Sequence, residues 1–203
     1  MDINSSPTKK ILMIAAEDSS CLYAERLLEH WQNKGLEYKT FGVGSKKMQS
    51  LGFERLGKSE DLAVMGVQEV IKHWSVIKKT FLDIVERCES EKPDVAVFLD
   101  YPGFNFRIAE FAKSKNFEVH YYISPKIWAW KENRIHKIKK FVDHMHVIFP
   151  FEVSYFHDKH QYKVNYVGNP LLDDIALRNS VDKQLFRKEH HLGEKPIIAL
   201  LPG

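Results

Sequence analysis

Apolar runs of strand length alternate along the chain with amphipathic stretches of helix length. The predicted strands are 11–15, 38–43, 94–99, 119–123, 144–148 and 164–167. The predicted helices between them are 20–34, 67–87, 104–115, 131–140 and 151–159. The strands are apolar on both faces, which is typical of a parallel sheet covered by helices on both sides. The pattern therefore predicts an α/β fold with a doubly wound, mostly parallel, Rossmann-like sheet.

The pattern changes after Gly168. A polar helical stretch at 181–191 is followed by a short apolar run at 197–201, which reads as a further strand. Since a strand needs a neighbour on its ladder, this run belongs to a second domain if the first sheet ends near Val167. We predict a first domain over 1–172, and a linker helix with the first strand of a second domain over 173–203. The alternative, in which 197–201 joins the first sheet, stays open.

Composition narrows the class of protein. Hydrophobic residues make up 44% and charged residues 28% of the chain, as in a folded globular protein. No apolar run approaches the roughly 20 residues that span a bilayer, and the polar stretch 1–10 does not resemble a signal peptide. Cys21 and Cys88 lie far apart, so we expect no disulfide framework and a reducing cytoplasm. A net charge of +3 gives no reason to expect nucleic acid as a partner.

Polar side chains follow several of the predicted strands, where ligands bind in doubly wound sheets. Asp100 ends one strand and precedes a helix, so its carboxylate could accept a proton as a general base. It could instead hold the turn through backbone hydrogen bonds, and both interpretations stay open. The loop 15–21 opens a helix, where free amide groups attract anions. It lacks GxGxxG, and Ser19 or Ser20 as an ordinary helix cap is the competing interpretation.

Aromatic, apolar and basic residues suggest further contacts. Trp128 and Trp130 follow a strand, where their rings could stack on a sugar or meet a membrane, although core packing is the usual fate of tryptophan. The apolar stretch 62–74 could contact acyl chains or be buried in the core. A basic run at 126–140 favours anionic lipid or phosphate, or forms a solvated helix face.

His144 and His146 share a strand face, but the sequence offers no third ligand near them. No Asp-x-Asp element occurs either. We therefore predict no metal site and no cofactor.

Taken in order and spacing, the segments resemble one known family. The matching stretches are 16–19, 41–44, 65–70, 92–94, 100–105, 122–130 with Arg134, 149–152, 167–170 and 200–203. The most specific is Ser-Pro-x-x-Trp-Ala-Trp at 124–130. Together they are similar to the amino-terminal half of the lipid-A-disaccharide synthase family.

The resemblance implies an inverting glycosyltransferase with two Rossmann-like domains, the GT-B arrangement. The family joins UDP-2,3-diacylglucosamine to 2,3-diacylglucosamine 1-phosphate and releases UDP, without a cofactor. This chain would be the acceptor-side half, and a carboxyl-terminal domain, in cis or in trans, would hold most of the UDP. Such a protein would lie peripherally on the cytoplasmic face of the inner membrane.

The resemblance also assigns roles to residues. Asp100 matches the essential aspartate, the base for the acceptor 6-hydroxyl. The residues expected to bind substrate are Glu17, Ser19, Asn105, Trp128 and Arg134. The residues expected to contact the membrane or acyl chains are Val64, Met65, Val67 and Trp74.

This chain departs from the family pattern at several positions. Ala16, Ser20 and Cys21 replace two glycines and an aspartate, and Gly103 replaces an aspartate beside Asp100. Asn169 stands where a histidine is common, and the family's next arginine and UDP pocket follow Gly203. We therefore expect no turnover by these 203 residues alone. A catalytically inactive half that binds lipid or a partner is the main alternative, and a UDP-sugar epimerase is a more distant one.

Overall fold

The computed structural model describes residues 8–62, 73–173 and 182–200. Its strands are β1 (Lys9–Ala15), β2 (Tyr38–Gly44), β3 (Glu54–Lys58), β4 (Val95–Leu99), β5 (Glu118–Tyr122), β6 (His144–Val147) and β7 (Asn165–Tyr166). Its α-helices are α1 (Asp18–Asn33), α2 (Lys46–Ser50), α3 (Ser59–Leu62), α4 (Trp74–Glu91), α5 (Pro102–Ser114), α6 (Ile135–Phe141), α7 (Pro150–Ser154) and α8 (Lys183–Glu189). A 3₁₀ turn (Glu132–Arg134) precedes α6, and a π-helical turn (Tyr155–Lys159) follows α7.

The strands form one seven-stranded sheet in the order β3-β2-β1-β4-β5-β6-β7, and every neighbouring pair is parallel. Each face of this sheet packs its own apolar layer. On β1, Leu12 and Ile14 belong to one buried cluster, whereas Met13 and Ala15 belong to the other. Because successive side chains of a strand point to opposite faces, a strand buried on both sides reads as a continuous apolar run. The expected doubly wound, Rossmann-like fold is confirmed.

Strand β3 was absent from the sequence prediction. It is the edge strand of the sheet, and its sequence Glu-Arg-Leu-Gly-Lys carries three charges in five residues. Its Gly57 lets α4 approach closely, because a Cβ there would lie 2.5 Å from Cγ2 of Thr80. A polar edge strand with a glycine at its packing contact gives no apolar run, so the hydrophobic pattern missed it.

The apolar run at 197–201 was predicted to be the first strand of a second domain, and the structure describes its residues 197–200. These residues pair with no strand within the described ranges, and the side chains of Ile198 and Leu200 are 89% and 87% exposed. Since a strand needs a neighbour on its ladder, the strand of a second domain stays a prediction.

By internal contacts the chain divides into two compact units, residues 1–168 and 169–203, a slightly earlier boundary than the predicted one after residue 172. The second unit contains α8, whose amino terminus is capped by the Asp182 side chain. None of the helices within the described ranges is long and apolar enough to cross a membrane.

Candidate functional site

Four charged side chains lie in the loops that follow neighbouring strands, at the edge of the sheet formed by the carboxyl ends of the strands. Glu17 follows β1, Asp100 follows β4, Lys126 follows β5 and Glu152 follows β6. The strands are in parallel register, so the loops that leave their carboxyl ends lie side by side. The charges also act on one another, since burial raises the pKa of each of the three carboxyl groups and the positive charge of Lys126 opposes each rise. This edge is the candidate active site.

The turn after β4 holds Asp100 in an unusual backbone conformation. Asp100 and Tyr101 have φ angles of 46° and 41°, so two successive residues other than glycine are left-handed. Such conformations cost free energy and persist only where surrounding contacts fix them, often at functional sites. The turn therefore needs a set of contacts that outweighs its strain.

Buried side chains supply these contacts. The Tyr121 hydroxyl donates a hydrogen bond of 2.5 Å to the Asp100 carbonyl oxygen. The side-chain amide of Asn105 donates to the carbonyls of Asp100 and Leu99, at 2.6 and 3.3 Å. Both side chains are fully buried, so these bonds are shielded from water. Asn105 was predicted to bind substrate, but its amide fixes the turn from the protein interior, and direct substrate contact stays a prediction.

The environment of Asp100 suits a proton acceptor. Its partial burial raises the pKa of its carboxyl group, while the Tyr101 N–H and the charges of Lys126 and Arg134 oppose this rise. The net direction is upward. A carboxylate with a raised pKa is a stronger base when it is ionised. Side-chain bonds to main-chain carbonyls hold the turn, and the Tyr101 N–H bonds to the carboxylate itself.

Glu17 is the second carboxylate at this edge. Burial, followed by the negative charge of Asp100, raises its pKa, and the charge of Lys126 opposes this rise. Its main chain is fixed by Ser20, whose hydroxyl accepts from the Glu17 N–H at 2.9 Å and donates to the Glu17 carbonyl at 2.7 Å. Glu17 is therefore the N-cap residue of α1, and Ser20, at the third helical position, completes a capping box, so neither Ser19 nor Ser20 is an ordinary serine N-cap. Ser19 is exposed beside Ser20.

The substitutions in this loop are accommodated locally. Ser20 and Cys21 lie inside α1 with ordinary helical backbone, so neither position needs the conformational freedom of glycine. The buried Cys21 thiol donates to the Ala15 carbonyl at 3.3 Å, and burial raises its pKa. The departures at residues 20 and 21 therefore tie the loop to the core.

The loop after β5 presents aromatic rings next to Glu152. The indole N–H of Trp128 donates to Oε1 of Glu152 at 3.3 Å, and Oε2 accepts from the N–H groups of Ile148 and Phe149. Burial of Glu152 raises its pKa, and these three hydrogen bonds oppose the rise. Trp128 is 39% exposed. Glu152 thus holds a tryptophan ring partly in solvent, a role that the sequence did not reveal.

A cationic pocket of about 270 Å³ adjoins the amino terminus of α5. Lys131, Arg134 and Lys137 line it, together with Gly103. Lys131 and Arg134 also lie over the exposed ring of Trp130, with the Lys131 ammonium 4.5 Å and the Arg134 guanidinium carbon 5.1 Å from its centroid. Free amide groups at a helix amino terminus and nearby cations favour an anion such as phosphate.

Of the residues predicted to contact the membrane or acyl chains, the structure describes only Trp74. Val64, Met65 and Val67 lie outside the described residues. Trp74 begins α4, is 49% exposed and has the Arg107 guanidinium carbon 5.8 Å from its ring centroid. Asn169, in the second unit, accepts a hydrogen bond from the Leu171 N–H at 3.1 Å and so stabilises a turn.

The fold and this edge define a Rossmann-like α/β domain with a candidate ligand site of carboxylates and cations. Solved structures share the fold. A UDP-N-acetylglucosamine 2-epimerase aligns over 89% of this chain and 54% of its own, with a TM-score of 0.61 and 10% identity. A UDP-GlcNAc 2-epimerase from Neisseria meningitidis bound to UDP-GlcNAc aligns over 91% and 53%, with a TM-score of 0.57 and 10% identity. At such identities the likeness shows the fold alone.

Within this class, the chain belongs to the lipid-A-disaccharide synthetase family, whose sequence model matches residues 11–203. Lipid-A-disaccharide synthases from Trichlorobacter lovleyi and Coxiella burnetii are each 38% identical and align with 96% of the chain. Lipid-A-disaccharide synthase 1 from Legionella pneumophila is 37% identical over the same share. The chain spans about half the length of these curated relatives, 50 or 51%. The expected family is confirmed.

Proposed function

We propose that this chain supplies the acceptor-side half of a lipid-A-disaccharide synthase. The reaction transfers 2,3-diacylglucosamine from UDP to the 6-hydroxyl of 2,3-diacylglucosamine 1-phosphate, giving the β-1,6-linked disaccharide and UDP. Family membership and the names of the curated relatives support this assignment. The observation that carries it is the Asp100 carboxylate, which has a raised pKa and lies in a turn fixed at the sheet edge.

In this mechanism Asp100 accepts the proton of the acceptor 6-hydroxyl. The oxygen attacks the anomeric carbon of the donor as the bond to UDP breaks, which inverts the configuration. The proton remains on Asp100 and the negative charge leaves with UDP. General base catalysis of this kind contributes roughly 10²- to 10⁴-fold to a rate. The rigid turn favours it, because proton transfer needs the two oxygens at hydrogen-bond distance.

The acceptor phosphate fits the cationic pocket beside this base. Arg134 provides a fork of donors and Lys131 and Lys137 provide point charges, a combination that suits phosphate. The exposed rings of Trp128 and Trp130 provide apolar faces for the sugars. Glu17 and Ser19 lie at the same edge of the sheet and complete the proposed acceptor site.

The first test is reconstitution. The purified 203-residue chain alone should form no disaccharide from the two substrates, because the carboxyl-terminal half of the relatives is absent. Addition of a polypeptide with that half from a relative should restore product formation. Turnover by the chain alone would contradict the assignment as a half. No turnover after stable association of the two halves would favour the second candidate, an inactive binding half, which Gly103 in place of a carboxylate motivates.

We also propose that the assembled protein acts peripherally at the cytoplasmic face of the inner membrane. Exposed Trp74 and Trp130, each beside basic residues, support contact with an anionic interface. Flotation with vesicles of anionic phospholipid should recover the chain, less so at high salt, and Trp74→Ala should reduce recovery. Leu36→Ala, which removes an equally exposed apolar side chain elsewhere, is the control. Equal recovery of the Trp74 variant and the wild type would contradict the contact.

A further inference from the structure

The histidines of β5 and β6 have neighbours that the sequence did not predict. In the parallel register, His120 lies opposite His144, and Tyr122 lies opposite His146. Glu118 precedes His120 by two residues, so both side chains lie on the same face of β5. His144 therefore has potential metal-binding side chains beside it on the adjacent strand, which the sequence alone did not reveal.

Three side chains converge at this point, which we call the Glu118 cluster: Glu118, His120 and His144. Oε1 of Glu118 lies 3.2 Å from Nε2 of His120 and 3.0 Å from Nε2 of His144. One donor atom from each residue lies within 4.8 Å of the other two. Tetrahedral zinc, with bonds of about 2.0–2.2 Å to nitrogen and oxygen, places its ligand atoms roughly 3.3–3.6 Å apart. Small side-chain rotations would bring the three donors into that geometry.

A fourth residue orients one of these donors. Nδ1 of His120 lies 3.1 Å from Nε2 of His146, and the two rings are stacked at 14°. If Nδ1 of His120 carries the proton and donates it to His146, then Nε2 of His120 keeps its lone pair on the side of Glu118. Histidines that bind metals commonly have this arrangement, in which a hydrogen bond at the other nitrogen fixes the ring and its tautomer.

The Glu118 cluster is also accessible. The side chains of Glu118 and His144 are 51% and 45% exposed, and that of His120 is 28% exposed. An ion could enter from solvent, and water could occupy a fourth position. Two imidazoles and one carboxylate form a donor set that suits Zn²⁺, and Cu²⁺ and Ni²⁺ prefer similar nitrogen ligands. The cluster lies toward the amino ends of the strands, away from the edge that carries Asp100.

We infer that Glu118, His120 and His144 form a binding site for one divalent transition-metal ion of the zinc type, with His146 as a positioning residue. The bound ion connects β5 to β6 through side chains, in addition to the backbone ladder. Metal binding here is independent of the transferase reaction, so its test requires no substrate and no carboxyl-terminal half.

The experiment is a Zn²⁺ titration of the metal-free chain in competition with a chromophoric chelator. The wild type should bind one ion with an affinity that Glu118→Gln and His144→Gln each weaken by at least about 100-fold, since a direct ligand matters more than its supporting contacts. His146→Phe should weaken it by about 10- to 100-fold. His157→Gln, an exposed histidine paired with Asp158 outside the cluster, is the matched control and should bind as the wild type does.

Circular dichroism in the presence of a chelator establishes that each variant is folded. X-ray absorption of the zinc-loaded wild type gives a readout that does not depend on variants. It should show two imidazole nitrogens and a carboxylate oxygen around the ion. An affinity unchanged by the Glu118 and His144 substitutions, no zinc binding by the wild type, or a shell without imidazole would each overturn the inference.

Discussion

The loops after β1 and β4 both deliver a carboxylate to the same edge of the sheet, but they hold it differently. Glu17 has extended backbone, with φ −114° and ψ 153°, and the Ser20 hydroxyl, three residues later in α1, fixes it by accepting a hydrogen bond from its N–H. Asp100 has left-handed backbone, and Tyr121, which lies on the next strand, helps to hold it. The position of Glu17 therefore depends on contacts within α1, whereas the position of Asp100 depends on contacts with the buried core. A substitution in the core should displace Asp100 and leave Glu17 in place.

The largest expected effect is that of Asp100→Asn in the reconstituted enzyme. Loss of the base should lower kcat by about 10²- to 10⁴-fold, measured as disaccharide formed at saturating substrates. Asp158→Asn, which changes an exposed aspartate in the π-helical turn, is the control and should keep full activity. A kcat within a few-fold of the wild-type value would show that Asp100 is not the base.

The same variant should be more stable than the wild type at neutral pH. Because the pKa of Asp100 is raised on folding, the folded chain holds that proton more tightly, and stability falls as pH rises through this folded pKa. Asparagine removes the buried charge and tolerates left-handed backbone. Urea unfolding should show a stability gain at pH 7 that shrinks as pH falls through the folded pKa of Asp100 and is smallest below the ordinary aspartate value of 3.8. A gain that is equal at all pH values would contradict this account.

Removing a buried contact of the turn should reduce activity without removing the base. Tyr121→Phe leaves the Asp100 carbonyl with one donor fewer, at a cost in unfolding free energy of about 1–3 kcal/mol. Misplacement of the carboxylate should lower kcat by up to about 10²-fold while KM changes little.

Tyr162→Phe is the matched control for this prediction. It removes a similar bond, 2.9 Å long, from a tyrosine hydroxyl to the Val142 carbonyl, away from the Asp100 turn. It should therefore destabilise the chain without lowering kcat. Equal loss of kcat in both tyrosine variants would mean that the effect reflects general destabilisation and not the position of Asp100.

Glu17→Gln should change the pH dependence of kcat, which tests whether the Glu17 and Asp100 carboxylates are coupled. The charges of Glu17 and Asp100 repel, which raises the pKa of Glu17, and the repulsion is mutual. Removing the Glu17 charge should therefore lower the pKa of Asp100. In the proposed mechanism activity requires ionised Asp100, so the fall of kcat at acidic pH should move to lower pH in this variant. Glu29→Gln, which removes a carboxylate from α1, is the control. If the fall of kcat stays at the wild-type pH or moves to higher pH, coupling of the two carboxylates is contradicted.

The smallest expected effect is that of Gly103→Asp. A Cβ at this position would meet no atom within 4 Å, so the side chain fits. A negative charge in the first turn of α5 should stabilise the helix by about 0.3–1 kcal/mol. Gly103→Asn separates this charge effect from the loss of glycine flexibility, and urea unfolding of both variants measures it. Equal stability of the two variants would show that the charge contributes nothing.

Part of this picture could be predicted from the sequence. The strands buried on both faces were readable because they contain apolar runs, such as 11–15 in β1 and the whole of β4, and the strand-end rule placed Glu17 and Asp100 at the ligand edge. The polar edge strand β3 was missed because pairing with a neighbour, and not hydrophobicity alone, makes a strand. The apolar run at 197–201 would need neighbours of its own, so its place as a strand of a second domain stays a prediction.

The contacts that support the site could not be predicted from the sequence, for a different reason. The left-handed conformation of Asp100, the bond from Tyr121 and the convergence of Glu118 with His144 all depend on the register between strands. Asn105 matched a binding motif, yet the sequence could not show that its amide points to the main chain. Such information lies in pairs of residues distant along the chain.

The central claim is that a partly buried, strained turn presents the Asp100 carboxyl group with a raised pKa. Carbon-13 NMR of the Asp100 carboxyl group across a pH titration of the 203-residue chain tests it most directly. Comparison with the Asp100→Asn variant assigns the resonance. We predict a midpoint above the reference aspartate value of 3.8. A midpoint at or below that value would contradict the account.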